Sequence, residues 1–289
     1  MSSDRQLRAV RSGDSLYRFP NLNDAATISD FYLPQTAIFV HGFTANAEYM
    51  SKLMYQFNGA GFNCLAFEYA SFRGIDHAAK NLCDILALID GQSECLTNNR
   101  VVLVGHSMGG LVARTMVLLY GGATFVRKVI TLGTPHDGTL KDSRFLEYMA
   151  AWGEQLSGLN PGGYGPSNAS GLQLIGADTP NPLLARLRDA TPPNPSVQFY
   201  SFSGGYPTLE FGRSKFKNFI ANSYLQSRLS PPNDGLVSES SSNLKQACAG
   251  TFLEMSEHYN SYNEYQYTNH SELINNPTVA LTAIKYALA

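Results

Sequence analysis

A serine between two glycines is the strongest chemical signal in this sequence. The segment GHSMG, residues 105–109, places Ser107 in the G-x-S-x-G spacing directly after the apolar residues 101–104 and before a helix-like segment. Glycines two residues either side of a serine allow a sharp turn, because they lack the Cβ atoms that would clash there. The start of a helix also brings N–H groups and a positive dipole near the hydroxyl. The pattern predicts a nucleophilic serine.

A serine nucleophile needs a base, and an acid that orients the base, because its hydroxyl is weakly nucleophilic at neutral pH. With this motif the three residues follow one another as Ser, Asp and His. Asp234, in the segment PPNDGLV, is the last aspartate of the chain and is favoured by elimination, although such a turn would equally suit a solvent-exposed aspartate. His258 and His270 both follow it in a tyrosine-rich stretch, and spacing alone does not separate them.

Alternating strand-like and helix-like segments surround the GHSMG motif. Short apolar runs predict strands at residues 36–40, 63–69, 101–104, 128–132 and 197–202. Apolar spacing and local composition predict helices at residues 47–58, 75–89, 111–120 and 278–289. Gly91 is expected to cap the second of these helices. This alternation is typical of βα units and a mainly parallel sheet, and it places the motif at a strand-to-helix turn.

Composition excludes several classes of function. The chain has 289 residues, 44% of them hydrophobic, which is enough for a large core. A net charge of −2 speaks against wrapping of nucleic acid. No run of apolar residues is long enough to predict a transmembrane helix, and charged residues in the first 20 positions do not resemble a signal peptide. We expect a cytoplasmic protein, or a secreted one already lacking its signal peptide.

The composition and the apolar spacing of the sequence change between residues 139 and 230. Turn-rich segments such as LNPGGYGPS (159–167) and TPPNP (191–195) interrupt the apolar spacing there. We interpret residues 1–289 as a single domain, in which 139–230 contains an inserted cap or lid.

Five motifs together resemble those of true bacterial lipases, in the order found in that family. They are HG at 41–42, GHSMGG at 105–110, GTPHDG at 133–138, NDGLV at 233–237 and NH at 269–270. The resemblance implies the α/β-hydrolase fold, a mainly parallel central sheet flanked by helices with an inserted cap or lid. Because Glu272 follows two positions after His270, the resemblance also favours His270 as the base, with His258 as the alternative.

The mechanism implied is acyl transfer to water. Ser107 would attack an ester carbonyl, His270 would carry the proton, and Asp234 would fix the imidazole. The developing oxyanion needs N–H donors, and the backbone N–H of Met108 is predicted as one because it follows the nucleophile. The resemblance implies the backbone N–H of Phe43 as the other.

Structural roles are expected for the remaining histidines and for a cluster of tyrosines. His41, His106 and His136 lie where the family places structural histidines, and His77 is expected to be a surface or capping residue. The tyrosines at 259, 262, 265 and 267 are expected to form a loop packed by its own rings, with an aromatic substrate path as the alternative.

Cofactors are not expected. Some lipases of this kind hold a structural calcium ion near the histidine loop, and Glu272 could supply one ligand, but residues 212–218 contain no carboxylate to supply another. The four cysteines lack C-x-x-C spacing, so a zinc-binding site is not expected. Cys83 and Cys95 could form a disulfide, or both could remain buried thiols.

The leading hypothesis is a serine carboxylic ester hydrolase of the lipase type that acts on acylglycerols or similar esters through an acyl-enzyme. Its partners would be an acyl ester or lipid substrate and, transiently, a lipid interface. A phospholipase, thioesterase or acyltransferase would use the same three residues, because a fold and a triad do not set the leaving group. A non-catalytic relative that binds a ligand is the alternative from another class.

Overall fold

Seven strands form one open sheet in the computed structural model, which describes residues 14–139, 173–174, 182–191, 193–210, 214–249, 259–265 and 267–289. The strands are β1 (Ser15–Arg18), β2 (Thr36–Val40), β3 (Asn63–Glu68), β4 (Val101–His106), β5 (Val126–Leu132), β6 (Gln198–Gly204) and β7 (Tyr259–Tyr265). Their order is β1-β3-β2-β4-β5-β6-β7, and every neighbouring pair except β1 and β3 is parallel. The predicted mainly parallel sheet is confirmed.

Helices connect these strands and flank the sheet. They are α1 (Ser51–Gly59), α2 (Ile75–Ser93), α3 (Cys95–Asn98), α4 (Met108–Leu119), α5 (Pro182–Arg188), α6 (Lys215–Gln226), α7 (Glu239–Ser242), α8 (Leu244–Ala247) and α9 (Pro277–Leu288). The helix predicted at 47–58 is a 3-10 turn over Ala47–Met50 that leads into α1. Within the described ranges, no helix combines the length and apolar character needed to span a membrane.

Both faces of the central strands are buried, which explains their continuous apolar sequences. Side chains alternate along a strand, so Ile38 and Val40 of β2 join one core cluster with α2 and α4. Ala37 and Phe39 join the cluster on the opposite face, with α1 and α9. Burial on both faces is characteristic of parallel sheets covered by helices.

Residues 259–265 form a strand rather than the predicted tyrosine loop, so that prediction was wrong. β7 pairs with β6, with Tyr259 opposite Phe199 and Tyr262 opposite Phe202. Polar residues between the tyrosines concealed this strand, although tyrosine is a good strand former. Tyr267 lies beyond β7 and is 89% exposed, so it is not packed among other rings.

The cap predicted at Gly91 was also wrong, because α2 continues to Ser93. Glu94 ends the helix in the left-handed conformation, with φ of 51°, and its N–H donates to the carbonyl oxygen of Asp90 at 2.7 Å. Gly91 therefore lies inside a helix, where a Cβ atom would meet nothing within 4 Å.

The cap or lid predicted within 139–230 lies largely outside the described residues, which omit 140–172 and 175–181. Within that range, the strand expected at 197–202 is β6 and belongs to the central sheet. Helix α5 is tied to α4, because the buried Arg114 guanidinium donates to the Leu187 carbonyl oxygen at 3.0 Å. The lid and the single-domain organisation remain predictions.

All four cysteines are buried free thiols, so Cys83 and Cys95 do not form a disulfide. The Cys83 thiol donates to the Tyr120 carbonyl oxygen at 3.1 Å, and Cys95 accepts from the Ser93 hydroxyl at 3.0 Å. Burial raises the pKa of Cys64 to about 12 and that of Cys83 to about 11, which keeps both thiols protonated and poorly reactive.

Gly105 and Gly91 provide a matched test of the contact between β4 and α4. A Cβ atom at Gly105 would lie 2.5 Å from backbone atoms of Gly110. We expect Gly105→Ala to lower the free energy of unfolding by about 1–3 kcal/mol, as overpacking does. Gly91→Ala should instead be neutral or stabilising by up to about 1 kcal/mol. Urea unfolding would measure both, and equal effects would show that the close approach at Gly105 is not a constraint.

Candidate active site

Ser107 lies at the sharp turn between the end of β4 and the start of α4. Its backbone has φ of 53° and ψ of −127°, a conformation that costs a non-glycine residue about 1–3 kcal/mol. Its N–H donates to the Leu132 carbonyl oxygen of β5 at 2.9 Å, which holds the strained turn against the neighbouring strand. The sequence-predicted strand-to-helix turn is therefore present, with Ser107 at its apex.

Two glycines bring the loop after β2 against this turn. A Cβ atom at Gly42 would lie 2.9 Å from the Cβ of Ser107 and 3.5 Å from its Oγ. A Cβ atom at Gly109 would overlap the Val40 carbonyl oxygen. Since Phe43 follows Gly42, the loop that carries Phe43 adjoins Ser107. Met108 is the first residue of α4, and the first N–H groups of a helix have no acceptor within it.

Asp234 and His270 form a buried hydrogen-bonded pair. The Nδ1 of His270 donates to Oδ2 of Asp234 at 2.7 Å, and the side chains of both residues are at most 1% exposed. The other carboxylate oxygen, Oδ1, accepts the N–H groups of Leu236 at 3.0 Å and Val237 at 2.8 Å. Asp234 is therefore not the solvent-exposed turn residue of the competing interpretation. His258 lies outside the described residues.

His270 is held beside the serine turn through His106, the residue before Ser107. The Nε2 of His106 donates to the His270 carbonyl oxygen at 2.9 Å, and the two rings are 4.7 Å apart between centroids. Gly133, directly after β5, permits the approach, because a Cβ atom there would lie 2.9 Å from both Asp234 Oδ2 and His270 Nδ1. The fold thus gathers Ser107, Asp234 and His270 at the carboxyl ends of β4, β5 and β6.

The remaining histidines have the structural and surface positions predicted for them. Burial and the nearby His270 lower the pKa of His106 to about 3, so its ring is neutral. Burial and the charge of Arg114 hold the pKa of His136 well below its usual range, and its Nε2 lies 3.1 Å from the Thr131 hydroxyl. His77 is exposed on the first turn of α2.

Glu68, at the end of β3, holds both ends of the loop that carries Phe43, a role that the sequence reasoning missed. Its Oε2 accepts the Ala47 N–H at 2.7 Å, and its Oε1 lies 3.4 Å from the Nε2 of His41. Burial favours a higher pKa for Glu68, but the nearby His41 imidazole and the Ala47 N–H outweigh it and lower the pKa. A glutamate ending the otherwise apolar run CLAF was the available signal.

His41 is fixed from three directions. Its Nδ1 donates to the Gly42 carbonyl oxygen at 2.9 Å, and its ring stacks on Tyr69 with centroids 4.3 Å apart. The Tyr69 hydroxyl donates to the His41 carbonyl oxygen at 2.6 Å. Together with Glu68, these contacts make the loop beside Ser107 a rigid element.

Glu272 braces the loop of His270. Its Oε2 accepts the Asn269 N–H at 3.1 Å, and Asn269 Oδ1 in turn accepts the Glu272 N–H at 2.9 Å. Among the residues that the structure describes, no group of three or more His, Cys, Asp or Glu side chains has the arrangement of a metal site.

Comparisons with known proteins place these residues in a known architecture. A family model described as the alpha/beta hydrolase fold matches residues 37–161. The mature lipase BlEst2 of Bacillus licheniformis superposes with a TM-score of 0.63 at 17% identity, covering 88% of this chain and 92% of that one. An esterase of Pyrococcus furiosus gives a TM-score of 0.56 at 12% identity, covering 89% and 82%.

Phospholipase PlaB of Legionella pneumophila gives a TM-score of 0.51 at 18% identity, over 73% of this chain and 45% of that one. No curated protein sequence matches this chain significantly. At such identities the likeness is one of fold.

The lowered pKa of His106 predicts a specific loss of stability in acid. The folded protein keeps His106 neutral down to about pH 3, whereas the unfolded chain protonates it below about pH 6.5. Unfolding therefore takes up a proton in that window, and stability falls by up to about 1.4 kcal/mol per pH unit as the pH drops.

Substitution of His106 by glutamine retains a donor for the His270 carbonyl but removes the titrating group. We expect the free energy of unfolding of His106→Gln, measured in urea from pH 7 to pH 4, to fall less steeply than that of the wild type. Parallel curves for the two proteins would contradict the burial of a neutral His106.

Proposed function

This chain has the α/β-hydrolase fold, and on that premise we propose that it is a serine carboxylic ester hydrolase of the lipase type. The observation that carries the proposal is the buried hydrogen bond of 2.7 Å between Asp234 and His270, beside the strained turn of Ser107. An imidazole oriented by a carboxylate, next to a serine at a strand-to-helix turn, is the arrangement that activates a hydroxyl for acyl transfer.

Each residue has one task in the proposed reaction. The Oγ of Ser107 attacks the ester carbonyl carbon while His270 takes the hydroxyl proton. The tetrahedral intermediate collapses, the bond to the alkoxy oxygen breaks, and His270 returns the proton to the departing alcohol. Water then attacks the acyl-enzyme with His270 again as the base, which releases the acid. Asp234 holds the imidazole in the required tautomer and stabilises its charged form.

The oxyanion of each intermediate is assigned to the backbone N–H groups of Met108 and Phe43. Met108 begins α4, so the helix dipole adds to the stabilisation. Phe43 follows Gly42, whose lack of a Cβ atom lets its loop reach Ser107. Loss of one such donor typically costs about 3–4 kcal/mol of transition-state stabilisation, so the position of this loop matters to the rate.

Acyl esters are the proposed substrates, as in the lipase and the esterase with similar folds. Hydrolysis of p-nitrophenyl esters from acetate to palmitate should be measured for the wild type and for four variants, Ser107→Ala, His270→Ala, Asp234→Asn and His258→Ala. We expect kcat to fall by about 10⁶-fold for the first two and by about 10⁴-fold for Asp234→Asn. His258→Ala should retain wild-type activity, since His270 already has the acid partner.

Two results would overturn this proposal. If the wild type hydrolyses no carboxylic ester while a fluorophosphonate probe still labels Ser107, the nucleophile is correct but the substrate class is wrong. If the probe labels neither the wild type nor any variant, the serine nucleophile itself is wrong. A peak at two to four carbons with no activity on emulsified triglyceride would exclude the lipase type and leave an esterase.

Glu68 is assigned as a positioning residue for the Phe43 loop. Glu68→Gln keeps the size of the side chain but removes the charge that faces His41. We expect kcat to fall by roughly tenfold to a hundredfold, less than for loss of a whole donor, with KM almost unchanged. Binding of a boronic acid analogue of the transition state should weaken in parallel.

Glu48→Gln is the matched control, because Glu48 is an exposed carboxylate on the turn that follows the same loop. It should leave kcat and analogue binding at wild-type values. Equal behaviour of the Glu68 and Glu48 variants would exclude the positioning role.

A further inference from the structure

Helix α6 is anchored to the protein through Asn222, Leu225 and Gln226. The Asn222 side chain accepts the Leu209 N–H at 2.9 Å and donates to the Leu209 carbonyl oxygen at 2.7 Å. Gln226 donates to the Pro207 carbonyl oxygen at 2.6 Å, and Leu225 is fully buried. These contacts fix α6 firmly against the segment 207–209.

Two neighbouring apolar side chains of α6 are exposed to solvent. Phe219 is 70% exposed and its neighbour Ile220 is 46% exposed. Burying a side chain of this size is worth about 1.5–3 kcal/mol, so leaving two of them in water forgoes a substantial stabilisation. Adjacent exposed apolar residues on a firmly anchored helix are typical of a contact surface.

The stripe of α6 that carries Phe219, Asn222 and Gln226 contacts the segment 207–209, which adjoins the candidate active site. The segment 207–209 rests on the Asp234 turn, where a Cβ atom at Gly235 would lie 2.8 Å from the Leu209 side chain. The Tyr206 N–H donates to the Thr268 carbonyl oxygen at 3.2 Å, two residues before His270. Tyr206 and Tyr267 are both exposed there. Tyrosines with one apolar and one polar end are enriched where protein meets lipid headgroups.

The charge of α6 complements an anionic surface. Lys215 and Lys217 lie exposed in its first turn, and the helix contains no acidic residue. Cations at a helix N-terminus oppose the helix dipole, so these lysines do not serve the stability of α6 itself. Lysines beside exposed aromatic and aliphatic side chains are the composition of helices that bind anionic bilayers.

We propose that Tyr206, Lys215, Lys217, Phe219, Ile220 and Tyr267, here named the α6 surface, bind an anionic phospholipid bilayer. The lysines attract the headgroups, while Phe219 and Ile220 insert at the level of the first acyl carbons. Docking through this surface brings the carboxyl ends of the strands, where Ser107 lies, towards the lipid. Binding does not depend on hydrolysis, so the proposal stands or falls separately from the proposed function.

Sedimentation with phosphatidylglycerol and phosphatidylcholine vesicles tests the proposal, with the full chain carrying Ser107→Ala so that the lipid is not consumed. We expect binding to phosphatidylglycerol that weakens with added salt, and little binding to phosphatidylcholine. Phe219→Ser with Ile220→Ser should weaken binding by roughly tenfold or more. Lys215→Gln with Lys217→Gln should weaken it by about thirtyfold, or about fivefold per lysine.

Tyr55→Ser is the matched control, because Tyr55 lies on α1 and is 69% exposed, almost the same as Phe219. It should bind like the parent chain. Equal effects of the Tyr55 and Phe219 substitutions, or equal binding of both lipids, would overturn the proposal. So would a dimer in analytical ultracentrifugation that Phe219→Ser with Ile220→Ser dissociates, since the surface would then join two copies. If the serine variant fails to fold, the lysine variant decides the outcome alone.

Discussion

Burial of the Asp234 carboxylate is the constraint around which the candidate site is arranged. A charged group removed from water needs hydrogen-bond partners, or its ionised form becomes costly. Here the imidazole of His270 takes one oxygen, and two backbone N–H groups of the same turn take the other. The His270 N–H also donates to the Asp234 carbonyl oxygen at 2.9 Å, so main chain and side chain fix the same pair.

Glycines let the Asp234 and His270 pair, and the loop beside Ser107, pack closely against the ends of the strands. Gly133 lets the Asp234 and His270 pair lie against the end of β5, while Gly42 lets the neighbouring loop reach Ser107. The buried His106 then joins the serine turn to His270 and stays neutral, because a charge there would have no water and would face another imidazole. Close contacts of the backbone at Gly42 and Gly133 therefore position the site as much as side-chain contacts do.

The central elements were predictable from sequence because their signals are strong and local. Continuous apolar runs gave β2, β4 and β5, and the GHSMG spacing located the turn of Ser107. The edge strand β7 escaped prediction because asparagine, serine and glutamate separate its tyrosines, so no apolar alternation was visible. The role of Glu68 was not predicted for another reason. Its partners, His41 and Ala47, are more than 20 residues away in sequence, and only the pairing of β2 with β3 brings them together.

The four residues of β1 have a consequence for solubility. β3 would otherwise form an edge of the sheet, with a row of unsatisfied N–H and carbonyl groups along apolar residues. β1 covers that row in antiparallel register from Ser15 opposite Glu68 to Arg18 opposite Leu65. A chain that lacked the residues up to Arg18 would expose the backbone edge of β3, to which strands of other chains could pair. Pairing with β1 thus removes the exposed strand edge at which such association would begin.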